Sequence, residues 1–534
     1  VLTNINGKLE HAGAGILAIN AGQFNNQFGK ITGNGKLDMM AATLDHRNAT
    51  TVANQLTINA GSLDNRSGSL AQTGTGHMTV SATGQLDNTG GKIEGNGDAL
   101  VKAATLLNST GRIVAAQDAE LQFGNLDNTE GTVAAGRHLN LSGGDIDNTK
   151  GQLQAVAGNA TLNVASLNNA AGSVFSGVNL NTTLNTVNNT GSLYAAGNQS
   201  LTATGAITNT GVIAAQGNNN LTAKSIDSSA SSLIGAGIQA DGKLGTSGDL
   251  TISTAQNLAV HGQILAAGNA NLTGATLDIS GSQTGAANIG LTATQGDVNA
   301  SKAAVTTPGT LNITSNATLH NTEGTLQAGQ LDLHVANLDN AKGVVLQTGT
   351  GDTTIVTGNL DNTAGRIAVN SKNLNIDAVT ITNQDGKIEH AGTGILNLQA
   401  GVLDNRKGRI TSAAAADIVS KGVLNNTDGV IAATADLHVG GVNIDNTRGV
   451  LQADNLRLDA AKLLNQQGTV SAGTDLTARI SADLNNAGLL YAGRNQQLTV
   501  GGLLNNTGSI ASVNNTNISA GKITSSGLLG AGVK

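Results

Sequence analysis

The chain has 534 residues, a formal net charge of −7, 72 Gly, one Pro, no Cys and no Trp. Large globular cores rely on aromatic side chains, and this chain has only two Tyr and four Phe, which argues against several ordinary globular domains. Interspersed charges without a basic face exclude nucleic-acid binding, and the lack of a run of about 18 apolar residues excludes a membrane span.

A short phrase recurs along the chain. Leu126–Gly131 reads LDNTEG, and Ile146–Gly151 reads IDNTKG. The Gly of this phrase recurs in steps of 19–23 residues through residues 1–211 and again through residues 324–534, apart from one doubled step around LDHRNATT. A fixed period of about twenty residues is typical of a solenoid.

Within one period, apolar residues alternate with polar ones. Between Gly131 and Asn148, the pairs Val133/Ala135 and Leu139/Leu141 each have the period of a short strand with one buried face. A third such strand leads into Asn148. Three strands per period predict an all-β fold, a parallel β-helix of about 26 coils of about 20 residues. We expect a single continuous rod over residues 1–534.

The repeated phrase predicts a structural corner. Leu126 should point inward, Asp127 outward, and Asn128 inward, where its amide would pair with the equivalent amide of the next coil. The Gly three residues later is expected to adopt a positive φ. The predicted corner residues are Asn65, Gly68, Asn88, Gly91, Asn128, Gly131, Asn148, Gly151, Asn340, Gly343, Asn362, Gly365, Asn405, Gly408, Asn446 and Gly449.

The spacing divides the chain into three segments. Residues 1–211 and 324–534 carry regular LDNxxG coils, whereas residues 212–323 keep the strand pattern but lack the Asn-Gly corner. If any part of the rod binds a ligand, we expect it to be this middle interval, but structural drift is the favoured explanation of the lapse. The short steps leave almost no room for projecting loops.

With LDNTxGxI on a twenty-residue step, and with LIGAGIQADGKLGTSGDLTIS from Leu233 onward, the chain resembles the filamentous haemagglutinin-like exoproteins of Gram-negative two-partner secretion. That family includes adhesins and contact-dependent growth inhibition toxins. The resemblance implies a right-handed β-helical shaft that is secreted through an outer-membrane transporter. No secretion, receptor-binding or toxin domain is recognisable, and the chain begins at Val1, so we expect a segment of something longer.

The resemblance also implies a function. The segment would be the structural shaft of a cell-surface exoprotein, anchored at the outer membrane, that projects a distal adhesive or toxin-delivery region toward another cell. The transporter would be engaged by a domain outside the segment, and a target-cell receptor by the distal region. The alternative is a β-helical polysaccharide-binding or polysaccharide-degrading protein, which short coils and few aromatics disfavour.

Residues with catalytic or ligand chemistry have plainer interpretations. Glu10-His11 and Glu389-His390 place a carboxylate beside an imidazole, but alternation predicts a solvated Glu and a His accommodated at a corner. The Asp residues of the phrase could share a cation, yet Asn or Leu often replaces them, which favours a solvated polar edge. The glycine-rich stretch from Gly74 lacks the strand–helix context of a phosphate loop. We therefore predict no catalytic residue, no metal and no cofactor.

Overall fold

The computed structural model describes residues 1–532, so the last two residues of the predicted segment 324–534 lie outside the described residues. Contacts divide the chain into two compact units, Val1–Ala270 and Asn271–Lys534. Each unit is described by itself, and the single continuous rod stays a prediction. Among residues 1–532 no helix has the length and apolar content needed to cross a membrane.

Each unit is a stack of coils built from short strands. In one coil these are Thr132–Ala135, Leu139–Gly143 and Asp145–Asp147. Each strand pairs in parallel with its equivalent one coil later, and Val133, for example, lies opposite Leu153. Because every coil covers the edge of the preceding one, few strand edges are left unpaired. The predicted all-β parallel β-helix, with about 26 turns in all, is confirmed.

The first unit contains most of the shorter strands. Its strands are Leu2–Thr3, Lys8–His11, Ile16–Asn25, Lys30–Asp45, Thr50–Asp64, Ser69–Gln72, Met78–Ala82, Gln85–Asp87, Lys92–Gly95, Ala99–Leu107, Arg112–Ala115, Ala119–Asp127, Thr132–Ala135, Leu139–Gly143, Asp145–Asp147, Gln152–Ala155, Ala160–Asn163, Ser166–Asn169, Ser173–Ser176, Leu180–Leu184, Thr186–Asn189, Ser192–Ala195, Gln199–Ala203, Ala206–Asn209, Val212–Ala215, Asn219–Ala223, Ser225–Ser228, Leu233–Ala236, Leu250–Thr254, Asn257–Val260 and Gln263–Ala266.

In the later part of the chain, neighbouring strands often run together through a bend. The strands are Asn269–Gly274, Thr276–Asp278, Gln283–Gly285, Asn288–Ala293, Val298–Asn299, Ala304–His320, Thr325–Asp339, Val344–Gln347, Thr353–Asp361, Arg366–Val369, Leu374–Thr382, Lys387–His390, Ile395–Asp404, Arg409–Ser412, Ala415–Asn425, Val430–Ala433, Asp436–Asp445, Val450–Ala453, Asn455–Asn465, Thr469–Ala472, Leu476–Ile480, Leu484–Asn486, Leu489–Ala492, Asn495–Asn506, Ser509–Ser512, Asn515–Ser525 and Leu528–Ala531.

The core of each coil is a narrow aliphatic column. Val133 is fully buried, and Leu141 and Ile146 are each only 1% exposed, as their alternation with polar residues predicts. The same positions in neighbouring coils carry Leu, Ile, Val or Ala, which stack along the column. Burial of aliphatic surface against the adjacent coils is therefore the main source of stability in each unit.

One coil of the first unit is longer than the others, which corrects the expectation that projecting loops have no room. Asn219 pairs with Leu250, and the extra residues form a small hairpin in which Ile238 bridges Leu244 antiparallel. Gly237, Gly242 and Gly248 all have a positive φ there, which glycine adopts without steric cost. Tyr194 Oη donates a hydrogen bond to the carbonyl of Ile238, 3.0 Å away, and this contact fastens the hairpin to the coil surface.

The turn persists where the Asn-Gly corner lapses. Ser228 and Val260 occupy the corner position in the first unit, where they lie opposite each other in the strand register. In the second unit Ile279 and Ala300 occupy it, and both are fully buried. Ser282 N donates to Ile279 O at 3.0 Å, so an apolar corner closes the backbone with the same hydrogen bond as an Asn corner.

Candidate functional site: the corner ladder

The recurring phrase forms a tight turn held by its own side chains. Asp127 Oδ1 accepts a hydrogen bond from Thr129 N at 2.9 Å, an Asx-turn that aspartate and asparagine make equally well. Gly131 N donates to Asn128 O at 3.0 Å and closes the turn. Glu130, between them, has a φ of 54°. The turn directs the Asn128 side chain into the coil interior, where it is fully buried.

The buried amides form a continuous chain of hydrogen bonds, which we call the corner ladder. Asn108 Nδ2 donates to Asn128 Oδ1 at 2.7 Å, and Asn128 Nδ2 donates to Asn148 Oδ1 at 2.7 Å. Asn128 Nδ2 also donates to Gln152 O at 3.2 Å, so its second proton is used. Asn128 therefore donates to the next coil and accepts from the preceding one, which satisfies polar groups that burial would otherwise leave unpaired.

The structure places the predicted Asn residues in two series, one in each unit. Asn65 bonds directly to Asn88, and Asn340 bonds directly to Asn362. Asn426 lies between Asn405 and Asn446 and bonds to both. The first unit's unbroken series is Asn65, Asn88, Asn108, Asn128, Asn148, Asn169, Asn189 and Asn209. That of the second is Asn321, Asn340, Asn362, Asn383, Asn405, Asn426, Asn446, Asn465, Asn486 and Asn506.

The role expected for the corner glycines is wrong in its mechanism. The positive φ belongs to the residue before the Gly, such as Glu130, and not to Gly131. A Cβ added to Gly131 would lie 2.7 Å from Asn128 Oδ1 and closer still to Asn108 O, distances that real Cβ atoms do not show. Glycine is needed because the amide and the neighbouring backbone occupy the space of a side chain. The same close approach holds at Gly68, Gly91, Gly151, Gly343, Gly365, Gly408 and Gly449.

One rung of the ladder is a histidine. His46 is fully buried, with Nδ1 2.7 Å from Asn65 Oδ1 and Nε2 2.8 Å from Thr51 Oγ1. Since Asn65 donates its amide protons onward, its Oδ1 must accept, which places the imidazole proton on Nδ1. Burial lowers the pKa of His46 to about 4, against the opposing effect of the Asn65 hydrogen bond. Asn26 Nδ2, on the other side, has no hydrogen-bond partner among the described residues.

The ladder ends differently in the two units. In the first unit Asn209 Nδ2 donates to Ser228 Oγ at 3.1 Å, and Ser228 Oγ donates to Ser232 Oγ at 2.6 Å, so hydroxyls terminate the series. In the second unit the series starts at Asn321, whose Oδ1 has no hydrogen-bond partner within residues 1–532. Ala300, one coil earlier, has no donor side chain to offer.

A second, exposed series was not anticipated from the sequence, and we call it the outer ladder. Asp118 Oδ1 accepts from His138 N at 3.0 Å, and His138 Nδ1 accepts from Asn159 N at 3.1 Å. Each side chain thus caps the backbone N–H of the equivalent residue one coil later. The sequence feature that could have predicted this series is the polar residue just before the second strand of each coil. The series is Asp98, Asp118, His138, Asn159, Asn179, Asn198, Asn218, Asp249 and Asn269.

The carboxylate–imidazole pair of the second unit is separated by the strand. Glu389 Oε2 accepts from Arg366 Nε at 2.7 Å on the outer face. The His390 side chain points the other way and is 2% exposed, with Nδ1 3.1 Å from Ser412 Oγ and Nε2 3.0 Å from Ser371 O. The two groups therefore do not converge on a common substrate position, which general acid–base catalysis requires.

The equivalent pair of the first unit has the same separation. Glu10 forms an ion pair with Lys8 at the surface. His11 is half-buried, and its Nε2 has no hydrogen-bond partner among residues 1–532. Gly33 lies opposite His11, at the position that Ser412 occupies beside His390.

The aspartates of the phrase are turn residues. Hydrogen bonds from Ser109 and Thr129 lower the pKa of Asp127 even though burial acts in the opposite direction. Asp147 makes the same bond to Thr149 N at 3.0 Å. Within residues 1–532 no group of three or more His, Asp or Glu side chains has an arrangement that could hold a metal ion.

Comparison with known proteins places these coils in a family. The model of the haemagglutinin repeat matches residues 4–55, 40–90, 93–155, 155–211, 194–240 and 453–531, together more than half of the chain. The chain belongs to the haemagglutinin repeat family. The corner ladder from Asn340 to Asn446 continues the haemagglutinin repeat geometry through residues that the family model does not match.

Two relatives of this haemagglutinin repeat chain are much longer proteins. A toxin CdiA of Yersinia pestis is 45% identical over 124 residues, which cover 22% of this chain and 4% of that protein. The tRNA nuclease CdiA-2 of Burkholderia pseudomallei (strain 1026b) is 38% identical over 102 residues, which cover 19% of this chain and 3% of that protein. The chain thus spans a very small part of the curated relatives it matches. No solved structure matches it.

Proposed function

We propose that the chain is a shaft segment of a large secreted exoprotein at the bacterial cell surface, which projects a distal adhesive or toxin-delivery region toward another cell. The observation that carries the proposal is the corner ladder, in which each buried amide side chain within a series bonds to the equivalent side chains of the coils before and after it. Because each coil contacts only its neighbours, the stability of the stack is approximately the sum of the coil stabilities and of the interactions between adjacent coils. Coils can therefore be added without a new core, which suits a long spacer. Membership of the haemagglutinin repeat family and the similarity to a toxin CdiA support the proposal that the exoprotein is secreted to the cell surface.

The proposed partners follow from the family. An outer-membrane two-partner secretion transporter would export the protein through a domain outside these residues, and a target-cell receptor would bind the distal region. The exoprotein would stay anchored at the outer membrane. These coils need no catalytic residue and no cofactor for the proposed role.

Five coils can be removed in register to test the spacer role. Lys92 and Ser192 occupy equivalent positions along the successive strand pairs, so deletion of residues 92–191 rejoins the stack. At about 4.8 Å per coil the shaft would shorten by about 24 Å. In the full-length exoprotein we expect unchanged surface display and weaker delivery to target cells in a mixed-culture assay.

The control replaces residues 92–191 by an equal number of coils taken from residues 344–449 that carry Lys387→Gln and Arg409→Gln, so that the inserted coils bring no unpaired cation of that column with them. If residues 92–191 act only as a spacer, this variant should regain full delivery to target cells, because the length of the shaft is restored. Loss of activity in both variants would show that residues 92–191 carry a specific binding sequence, which contradicts the spacer role.

Folding of the coils outside the cell is proposed to assist export. The chain has no Cys and a single Pro, and its coils contact their neighbours in sequence, so they can form one after another as they emerge. Asp in place of inward Val133, Leu141 and Ile146 should stall surface display while synthesis continues. Asp in place of outward Ala134 and Asn140 is the matched control. If the inward variants reach the cell surface at the wild-type rate, folding does not assist export and this part of the proposal is wrong.

A further inference from the structure

A trough crosses the outer face of several coils in the second unit. Leu346, Ala368, Glu389, Thr411, Ala432 and Gln452 follow one another in the strand register. Two grooves along them, of about 650 and 500 Å³, share Arg409, Thr411 and Ser412. We call the combined groove the 346–454 trough. Five steps of about 4.8 Å make it about 24 Å long, the shape of an extended chain rather than of a compact small molecule.

Three cations occupy one column on successive coils, and the two at its ends, Arg366 and Arg409, line this trough. Arg366, Lys387 and Arg409 are paired in register on successive coils. Arg366 bonds to Glu389, but neither Lys387 nor Arg409 has an ion pair within residues 1–532. Like charges one coil apart repel each other, and an anion placed between them would relieve that repulsion.

Unpaired arginines are unusual in this protein. In the described part of the chain, Arg409 and Arg479 are the arginines without an ion pair, while the others lie beside Asp or Glu, as Arg406 does beside Asp404 at 2.7 Å. Arg409 lies at the junction of the two grooves. An exposed guanidinium that lacks a carboxylate of its own is free to bind carboxylate, sulfate or phosphate in a bidentate manner.

The floor of the trough is small and neutral. Ala368, Ala391 and Ala413 leave the cations accessible, and Asn370 and Gln452 offer hydrogen-bonding groups. The carboxylates that line it are Glu389, which Arg366 engages, and Asp454 at the far end. No Phe, Tyr or Trp lines it, so it has no surface on which nucleic-acid bases could stack.

We propose that the 346–454 trough binds an anionic polysaccharide. Acidic groups of the polymer bind at Lys387 and Arg409, and its hydroxyl groups lie against the polar floor. The site adds direct adhesion along the shaft to the spacer role, and does not depend on what the distal region binds.

The test measures binding of the purified chain to dextran sulfate, polygalacturonate and uncharged dextran. The test variant carries Lys387→Gln and Arg409→Gln. The matched control carries Lys462→Gln and Arg479→Gln, which remove the same charge from exposed, unpaired side chains outside the trough. We expect binding to both charged polymers, none to dextran, at least about a tenfold loss in the test variant and less than about a twofold loss in the control.

The salt dependence of binding gives a second readout. Removing two cations that contact the polymer lowers the slope of log affinity against log salt by about one to two, and the control leaves it unchanged. An equal loss of affinity in both variants would show that binding depends only on the net charge of the chain, which would overturn the proposal. Tighter binding of single-stranded DNA than of either charged polysaccharide would also overturn it. Circular dichroism spectra that match the wild type show that neither variant is misfolded.

Discussion

The corners at Asn128 and at Ala300 have the same backbone turn but different side chains. At both, the residue three positions later donates its N–H to the corner carbonyl at 3.0 Å. The position before that donor has a positive φ, 54° at Glu130 and 59° at Lys302. The turn is therefore independent of the amide. The ladder adds a second set of bonds that run between coils.

The comparison also explains where glycine is needed. Three residues after Asn128 the chain has Gly131. Three residues after the apolar corners Ala300 and Ile279 it has Ala303 and Ser282 instead. Where the corner residue has no amide, a Cβ is accepted three residues later. The His46 corner agrees, since Ala49 takes the glycine position there and is buried. Asn and Gly thus form a coupled pair in this repeat.

Breaking the ladder at its centre should have the largest effect. Asn128→Leu leaves Asn108 Nδ2 without its acceptor and Asn148 Oδ1 without its donor, both in a buried environment. We expect a loss of about 2–4 kcal/mol in the unfolding free energy of the surrounding coils. Urea unfolding with hydrogen exchange of these coils measures it. Ile279→Leu, at a buried apolar corner and with almost no change in volume, is the comparison, and equal losses would refute the contribution of the ladder.

The histidine rung should make the first unit sensitive to acid. His46 has its pKa lowered to about 4 in the folded state from 6.5, so its contribution to stability is complete above pH 6.5 and is lost as the pH falls toward 4. The maximum loss is about 3.5 kcal/mol, from about 1.4 kcal/mol per pKa unit. Unfolding midpoints at pH 7 and pH 4.5 measure it, and His46→Asn variants should lose this part of the pH dependence. Asp475, whose hydrogen bond to Arg494 lowers its pKa to about 2, titrates below this window.

Repairing that rung should stabilise the first unit by a smaller amount. His46→Asn together with Ala49→Gly and Thr51→Leu gives Asn26 Nδ2 an acceptor and removes the buried hydroxyl that His46 satisfies. We expect a gain of about 1–2 kcal/mol in unfolding free energy. His46→Asn alone should be destabilising because the Ala49 Cβ would crowd the new amide. A gain from the single change would argue against the coupling.

The smallest effect should come from the turn aspartates. Asp127→Asn keeps an oxygen for Thr129 N, and Asn168 and Asn425 already occupy this position in other coils. We expect a change below about 0.5 kcal/mol in the same unfolding experiment. Asp127→Ala, which removes the acceptor, should cost about 1 kcal/mol.

Much of this architecture could be predicted from the sequence because its signals are periodic. The alternation at Val133 and Leu141 specifies which face is buried, and the recurrence of Asn128 at a corner specifies a partner one coil later. The φ assignment at Gly131 was wrong because the close approach of a neighbouring coil, not the local backbone, requires glycine there.

Features that depend on contacts between neighbouring coils could not be predicted from the sequence. The Ile238–Leu244 hairpin lies in a glycine-rich stretch, but glycine also recurs at the corners of ordinary coils, so its presence did not predict a projection. The 346–454 trough depends on small side chains lining up across coils, which requires the register. The outer ladder likewise becomes visible only once His138 and Asn159 are seen on adjacent coils.

The coupling of Asn to Gly is tested most directly by a double-mutant cycle at the apolar corner. Ala300→Asn would offer Nδ2 to the unpartnered Asn321 Oδ1, but we expect the Ala303 Cβ to crowd its own Oδ1, as a Cβ at Gly131 would crowd Asn128 Oδ1. We predict that Ala300→Asn alone lowers the unfolding free energy by about 2 kcal/mol or more, and that adding Ala303→Gly restores it to within about 1 kcal/mol of the wild type. Additive effects of the two substitutions, within about 0.5 kcal/mol, would contradict the account.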